Sequence, residues 1–254
     1  MLLGRFARGD ETFYGRLKAD GTVVRLDGGL DSEWANGRVY GPGEVRALAP
    51  CTPSKIVCVG LNHREHAREL NHPLPEEPVL FLKPPSAVIG PGEEILLPPQ
   101  SARVDYEAEL ALVIRRRAVN LDPERAAEYI FGYTAANDVT ARDLQQKDGQ
   151  WTRAKSFDTF CSLGPYIVAG PPPEQIKVAL YLNGEQRQSA CITDLIFGPA
   201  ALVSFVSRVM TLEPGDVILT GTPAGVGPLR VGDRVEVEVG DVGRLVNVVA
   251  TRRP

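Results

Sequence analysis

Glycine and proline interrupt this chain so often that no long regular element can run through it. The 254 residues include 25 glycines and 21 prolines, about 18% of the chain against the ~12% usual for globular proteins. Proline removes the backbone donor that a helix interior or central strand needs, and glycine carries the largest backbone entropy cost. A helical bundle is excluded, and many short strands joined by turns are expected. The apolar runs between the breakers agree: KIVCVG, VLFLK, ELALVI, VALYL, RVEVEV and LVNVVA are short and rich in β-branched residues.

Helical segments are few. NHREHAREL reads as a short helix, and NHPLPEEP after it holds too much proline for regular structure and reads as a hinge. DPERAAEYI reads as a helix with Asp122 at the N-cap and Pro123 in the first position. ARDLQQ is expected to form a helical turn and GPAALVSFVSRVM a longer helix, while Asn183-Gly184 marks a hairpin. Pro50 and Pro53 suggest a boundary, giving a small N-terminal domain over 1–52 and a larger domain over 53–254. The expected fold class is β-rich α+β, with a closed or rolled sheet instead of a doubly wound one.

Charge narrows the function classes. A net charge of −4 and a pI near 5.5 give no global attraction to nucleic acid or anionic lipid. The basic run Arg115, Arg116, Arg117 follows an apolar strand and reads as a solvated turn. Cys51, Cys58, Cys161 and Cys191 lie far apart with no C-x-x-C pair, which fits a reduced setting. No run reaches the ~18 apolar residues of a membrane span, and MLLGRFARGDETF lacks the apolar core of a secretion signal. A cytoplasmic protein with neither nucleic-acid nor membrane partners is expected.

Chemistry concentrates in VDYEAELALVI. Glu107 and Glu109 lie two apart in a strand, so both point to one face with Asp105 beside them, while Leu110, Leu112 and Ile114 line the other. If buried, like charges this close need a compensating cation; if half-exposed, they form an ordinary polar face. Asp138 ends an uncharged run in GYTAANDVT and needs a partner, unless it caps the following helical turn. Three carboxylates without a histidine or cysteine ligand suit magnesium, manganese or calcium better than zinc. GTPAGVG lacks the G-K-[ST] ending of a phosphate loop and precedes a strand, which excludes that reading.

KIVCVGLNHREHARE, PVLFLKP, VDYEAELALVI, NDVTARDLQ, AKSFDTF and LTGTPAGVG occur in an order and spacing that resembles the fumarylacetoacetate hydrolase family, over about residues 54–250. The resemblance implies a mixed β-roll, in many bacterial members preceded by a small N-terminal domain, and a homodimer. It implies one Mg2+ or Mn2+ ion bound by Glu107, Glu109 and Asp138, with Ca2+ as a non-native occupant. Lys155 matches the family's active-site lysine, Arg142 and Gln145 match substrate contacts, and Thr222 matches a binder of the substrate carboxylate. Without the family, Lys155 reads as a solvated lysine, Arg142 as a structural ion pair, Gln145 as a surface residue and Thr222 as a turn hydroxyl.

His63, His66 and His72 are the chain's three histidines. His66 and Glu69 are three apart and share a face of the short helix. They resemble the His/Glu dyad of the family's acylpyruvase and oxaloacetate decarboxylase branch, where the histidine acts as base on a helix that closes over substrate; the alternative is a surface amphipathic helix. His63 and His72 have no such match and are expected on the lid surface. The resemblance implies a metal-dependent isomerase, decarboxylase or C–C hydrolase acting on a small 2-oxo or 2-hydroxy-dienoic carboxylate. The leading activity is 2-hydroxyhepta-2,4-diene-1,7-dioate isomerisation, part of aromatic-compound degradation. Acylpyruvate hydrolysis with oxaloacetate decarboxylation is the alternative, and a non-catalytic metabolite binder is the rival outside enzymes.

Overall fold

The computed structural model of the protein describes residues 1–29, 34–69 and 73–252, the side chains at 66, 67 and 69 excepted. Strands dominate, as the breaker density requires. The N-terminal segment holds β1 (Leu2–Arg8), β2 (Glu11–Leu17), β3 (Val23–Asp27), β4 (Ala35–Tyr40) and β5 (Arg46–Leu48). Phe6, Phe13, Val23 and Tyr40 form its own small core, with the Phe13 and Tyr40 rings stacked 5.0 Å apart.

The rest of the chain begins with β6 (Ile56–Gly60), α1 (Arg64–Glu69), β7 (Val79–Lys83), β8 (Val88–Ile89) and β9 (Glu94–Leu97). Then come β10 (Val104–Tyr106), β11 (Ala108–Ile114), α2 (Pro123–Ala126), β12 (Ile130–Asp138) and β13 (Thr140–Ala141). Helices α3 (Arg142–Asp148) and α4 (Thr152–Lys155) lead into β14 (Cys161–Ala169), β15 (Lys177–Leu182) and β16 (Glu185–Cys191). Finally α5 (Pro199–Val209) precedes β17 (Val217–Leu219), β18 (Gly227–Pro228), β19 (Arg234–Val239) and β20 (Arg244–Thr251).

The large mixed sheet runs β4-β3-β2-β1-β14-β12-β11-β17-β6-β7, with β5 on β1 and β8 on β14. The N-terminal strands are continuous with it, because Leu2 and Leu3 pair with Val168 and Ile167. A five-stranded sheet, β16-β15-β19-β20-β9, forms a second layer, and β13-β10-β18 a small third. Strand β11 is buried along its whole length. Its Leu110, Leu112 and Ile114 join the core shared with the five-stranded sheet, α2 and α5, while Ala111 and Val113 join the core on the opposite face. A strand covered on both sides reads as a continuous apolar run, so the half-exposed reading of this segment does not hold.

Two local expectations change and one holds. Asp122 precedes α2 as expected, but its side chain makes no capping hydrogen bond, and Pro123 alone opens the helix with its preset φ. Residues 73–78 of the proline-rich stretch carry neither helix nor strand. His63 is 3% exposed instead of lying on a lid surface, because its backbone bridges to Leu195 just before α1 begins. No described helix is long and apolar enough to cross a membrane.

Two strands that end at one place are tied at their base by Asp216. Its carboxylate is fully buried and accepts from the Ser54 N–H at 2.9 Å, the Ser54 hydroxyl at 2.7 Å and the Glu213 N–H at 2.8 Å, and it pairs with Lys55. It thus clamps the start of β6 to the turn before β17, strands that run parallel from there. Burial pushes the Asp216 carboxyl up, but the donors of Lys55, Ser54 and Glu213 outweigh it and hold it below its ordinary value. A carboxyl held low stabilises the fold above its unfolded pKa and stops doing so as pH falls through the folded one. Asp216→Asn is expected to cost about 3 kcal/mol at neutral pH. The difference from wild type in urea titrations should shrink in acid; a pH-independent difference would refute the role of the charge.

Candidate active site

The acids gather where the chain changes sheets. Strand β10 pairs with β13 and β18, whereas β11 pairs with β12 and β17, and Glu107 is the single residue between them. Its N–H, lost to the ladder, is taken by the Asn137 side-chain oxygen at 2.9 Å, and its carbonyl accepts the Asp138 N–H at 2.8 Å. Glu109 is the second residue of β11, and Asp138 closes the neighbouring β12. Glu107, Glu109 and Asp138 are all buried, and each offers a ligand oxygen within 4.8 Å of the others. This cluster can hold a metal ion.

Cations from three other elements surround it. Lys155, in the last turn of α4, donates to Glu107 Oε2 at 2.8 Å and Asp138 Oδ2 at 2.6 Å. It is 2% exposed and lies 4.8 Å over the Phe81 ring, so it is not a solvated lysine. Burial pulls its ammonium down, but Asp138 and Glu107 outweigh that and hold it above its ordinary value. Lys83 ends β7, pairs with Asp138 and donates to the Val139 carbonyl at 3.0 Å. Arg142 opens α3 and donates to Asp105 at 2.9 Å, to Glu107 and to Gln145 Oε1 at 2.6 Å. Its structural ion-pair reading therefore holds here. Asp138 does not cap the helix, since Ala141 occupies that position.

Glu109 differs from its neighbours. Among the described residues no cation is within ion-pair reach of it, and it accepts the Gly221 N–H at 2.6 Å. Burial, then the carboxylates of Asp138 and Glu107, push its carboxyl well above the ordinary range. Gly221 reaches it with φ at +104°, and a Cβ there would stand 2.9 Å from the Asn62 Cβ. Only glycine lets the β17 loop approach this closely. An oxygen-only donor set with one unpaired carboxylate fits a hard divalent cation.

The cluster forms the floor of a cavity of about 310 Å³, also lined by Val59, Leu61, Phe81, Gln145, Trp151 and Thr222. Glu107, Glu109, Asp138, Arg142, Gln145, Lys155 and Thr222 thus converge, although 115 positions separate the first from the last. His66 and Glu69 lie on α1, whose entry is fixed by Asn62 and Arg64: the Asn62 side chain donates to Thr220 and Phe197 carbonyls at 2.7 and 3.0 Å, and Arg64 to the Leu195 carbonyl at 3.1 Å. The His66 and Glu69 side chains, and His72 altogether, lie outside the described residues. Sequence reasoning assigned nothing to Lys83, Phe81 and Trp151. Lys83 carried a signal, a lysine closing the apolar strand VLFLK, but its partner lies 55 residues away.

Residues 55–250 match the family described as fumarylacetoacetate (FAA) hydrolase, C-terminal, and residues 1–50 match one described as Rv2993c-like, N-terminal. The mitochondrial oxaloacetate tautomerase FAHD2A of Bos taurus is 44% identical over 219 residues, covering 81% of this chain and 70% of that protein. The crystal structure of 2-hydroxyhepta-2,4-diene-1,7-dioate isomerase from Mycobacterium marinum is 40% identical, with both chains fully covered and a TM-score of 0.92. Fumarylpyruvate hydrolase from Pseudomonas aeruginosa, solved with Mn2+ and pyruvate, is 33% identical with a TM-score of 0.75, covering 82% of this chain and 92% of that one. With its strand-rich mixed sheets, its acidic cluster and these matches, the chain belongs to the fumarylacetoacetate hydrolase family.

Proposed function

We propose that the protein is a divalent-metal-dependent enzyme that acts at C3 of small 2-oxo or 2-hydroxy-dienoic carboxylates, foremost as a 2-hydroxyhepta-2,4-diene-1,7-dioate isomerase. The carrying observation is the buried cluster of Glu107, Glu109 and Asp138 beside Lys155 on the cavity floor. The full-length likeness to the Mycobacterium marinum isomerase supports the choice of substrate. Mg2+ or Mn2+ held by the three carboxylates would supply Lewis-acid charge at the substrate's 2-oxo group.

The chain's own residues then have separable tasks. Lys155 keeps a full positive charge beside the reacting end, which favours an enolate over the neutral ketone. The Thr222 hydroxyl binds the adjoining carboxylate. A guanidinium carries five N–H donors, so the bonds of Arg142 to Asp105, Glu107 and Gln145 leave hydrogens for the far end of the substrate. Phe81 and Trp151 exclude water along one wall, their rings packed edge-on 5.2 Å apart. His66, oriented by Glu69, moves the proton, a task suited to a side chain titrating near neutrality. Acylpyruvate hydrolysis or oxaloacetate decarboxylation is the second reading, supported by the likeness to fumarylpyruvate hydrolase; it differs only in what leaves C3.

Glu109→Gln separates metal binding from folding. The amide keeps an acceptor for the Gly221 N–H and removes a carboxylate crowded by like charges, so the metal-free melting temperature should equal or exceed that of wild type. Wild type at a metal concentration of about 100 Kd should gain about 2.7 kcal/mol, a rise of roughly 5–10 °C for a chain this long. The variant should gain none; an equal rise with Mg2+ and Mn2+ in both proteins would remove the cluster as the metal site.

Turnover of the heptadienedioate, oxaloacetate and acetylpyruvate, measured side by side on metal-loaded enzyme, should favour the heptadienedioate in kcat/KM. His66→Ala should lower kcat by about 10²-fold or more while leaving the metal-induced melting shift intact. Full activity in that variant would take the dyad out of the mechanism.

A further inference from the structure

Gln188, in β16 of the five-stranded sheet, is 1% exposed, and both ends of its amide meet main-chain groups of fixed polarity. Its Oε1 accepts the Ala108 N–H at 2.9 Å, and its Nε2 donates to the Pro223 carbonyl at 2.7 Å. A backbone N–H can only donate and a carbonyl can only accept, so these contacts dictate which end of the amide is oxygen and which is nitrogen. The second Nε2 hydrogen then goes to Thr222 Oγ1 at 2.8 Å. Thr222 is made an acceptor on that side, and its single hydroxyl hydrogen must donate elsewhere. No acceptor among the described residues takes it, while Thr222 lines the cavity together with Glu107, Glu109 and Asp138.

We infer that Gln188 is a positioning residue that presets Thr222 as a hydrogen-bond donor into the cavity. The subsite beside Thr222 therefore takes an acceptor, such as a carboxylate or keto oxygen, and disfavours an ammonium or other donor. The same amide fixes where that donor stands. By holding the Ala108 N–H between the two glutamates and the Pro223 carbonyl after Thr222, it locks the loop to the acid strand, and the Gly221 bond to Glu109 is the second fastening. A group without charge and outside the acid cluster thus decides the polarity of the cavity wall. This inference rests on the proposal that the cavity binds a 2-oxo carboxylate.

Pyruvate titrated calorimetrically into Mn2+-loaded protein tests it without relying on turnover, with Mn2+ affinity measured separately. Gln188→Glu keeps an acceptor for Ala108 but offers Thr222 an acceptor in place of a donor, so the hydroxyl turns away from the cavity. Pyruvate affinity should fall about ten-fold or more, with Mn2+ affinity within about threefold of wild type. Thr222→Val should lose as much, and adding Gln188→Glu to it should cost nothing further. Unchanged pyruvate affinity in Gln188→Glu, additive losses in the double variant, or a parallel loss of Mn2+ affinity would each overturn the assignment. Wild type that binds Mn2+ but no pyruvate would overturn the carboxylate reading and this assignment with it. If Gln188→Glu does not melt cooperatively, Thr222→Ser against Thr222→Val decides. Serine should bind pyruvate within about threefold of wild type and valine about ten-fold worse; equal binding by both would overturn the assignment.

Discussion

Four carboxylates buried within one small region cannot all stay ionised unless positive charge is brought to them, and the fold around the cavity is organised by that demand. Asp105, Glu109 and Asp138 come from three strands, β10, β11 and β12, and Glu107 from the junction between sheets. Removing carboxylates from water costs several kcal/mol each unless charge and hydrogen bonds replace the solvent. Lys83 from β7, Lys155 from α4 and Arg142 from α3 supply the charge for three of the acids. Elements remote in sequence are thus pinned to one point by electrostatics as well as by packing. Glu109 is left with a backbone N–H alone, and that imbalance marks the place where an added cation repays most.

The large sheet makes this arrangement rigid. Strand β11 is covered on both faces, by the five-stranded sheet and helices on one side and by the second core on the other. A strand held this way cannot slip by one residue without exchanging its two faces. The register Glu109 to Ala136 and Ala108 to Asn137 is therefore firmly set, and with it the spacing of Glu109 from Asp138. The Asp216 clamp acts from the other end, fixing β6 against β17 so that Val59 and the Gly221 loop reach the cavity together.

Much of the fold was legible because breaker density and short β-branched runs are local signals. The acids were legible for a related reason: a carboxylate inside an apolar run is an unpaid electrostatic cost, visible without knowing what offsets it. What offsets it was not legible. Lys155 taken alone looks like any surface lysine, and only its motif singled it out; Lys83 stood in an apolar strand and went unassigned. Gln188 is harder still, since its partners Ala108 and Thr222 lie 80 and 34 residues away and a glutamine in NGEQRQ carries no local anomaly. His63 shows the reverse failure. Its neighbours suggested a surface helix, but a backbone bridge to Leu195, across more than a hundred residues, buried it.

The described walls of the cavity are held by several independent restraints. The floor and the Thr222 side are held by charge balance, sheet register and an amide of dictated polarity. Helix α1 is fastened through Asn62 and Arg64 at its entry, and the described chain after Pro73 runs through residues without helix or strand until β7. A site that always stabilises negative charge at the same oxygen can serve isomerisation, tautomerisation or C–C cleavage, because these differ in what approaches and leaves C3. The solved relatives named for different reactions keep this fold. On the proposed function, the choice among reactions then falls to residues outside this charge-balanced cluster, where a substitution leaves intact the electrostatics that hold the protein together.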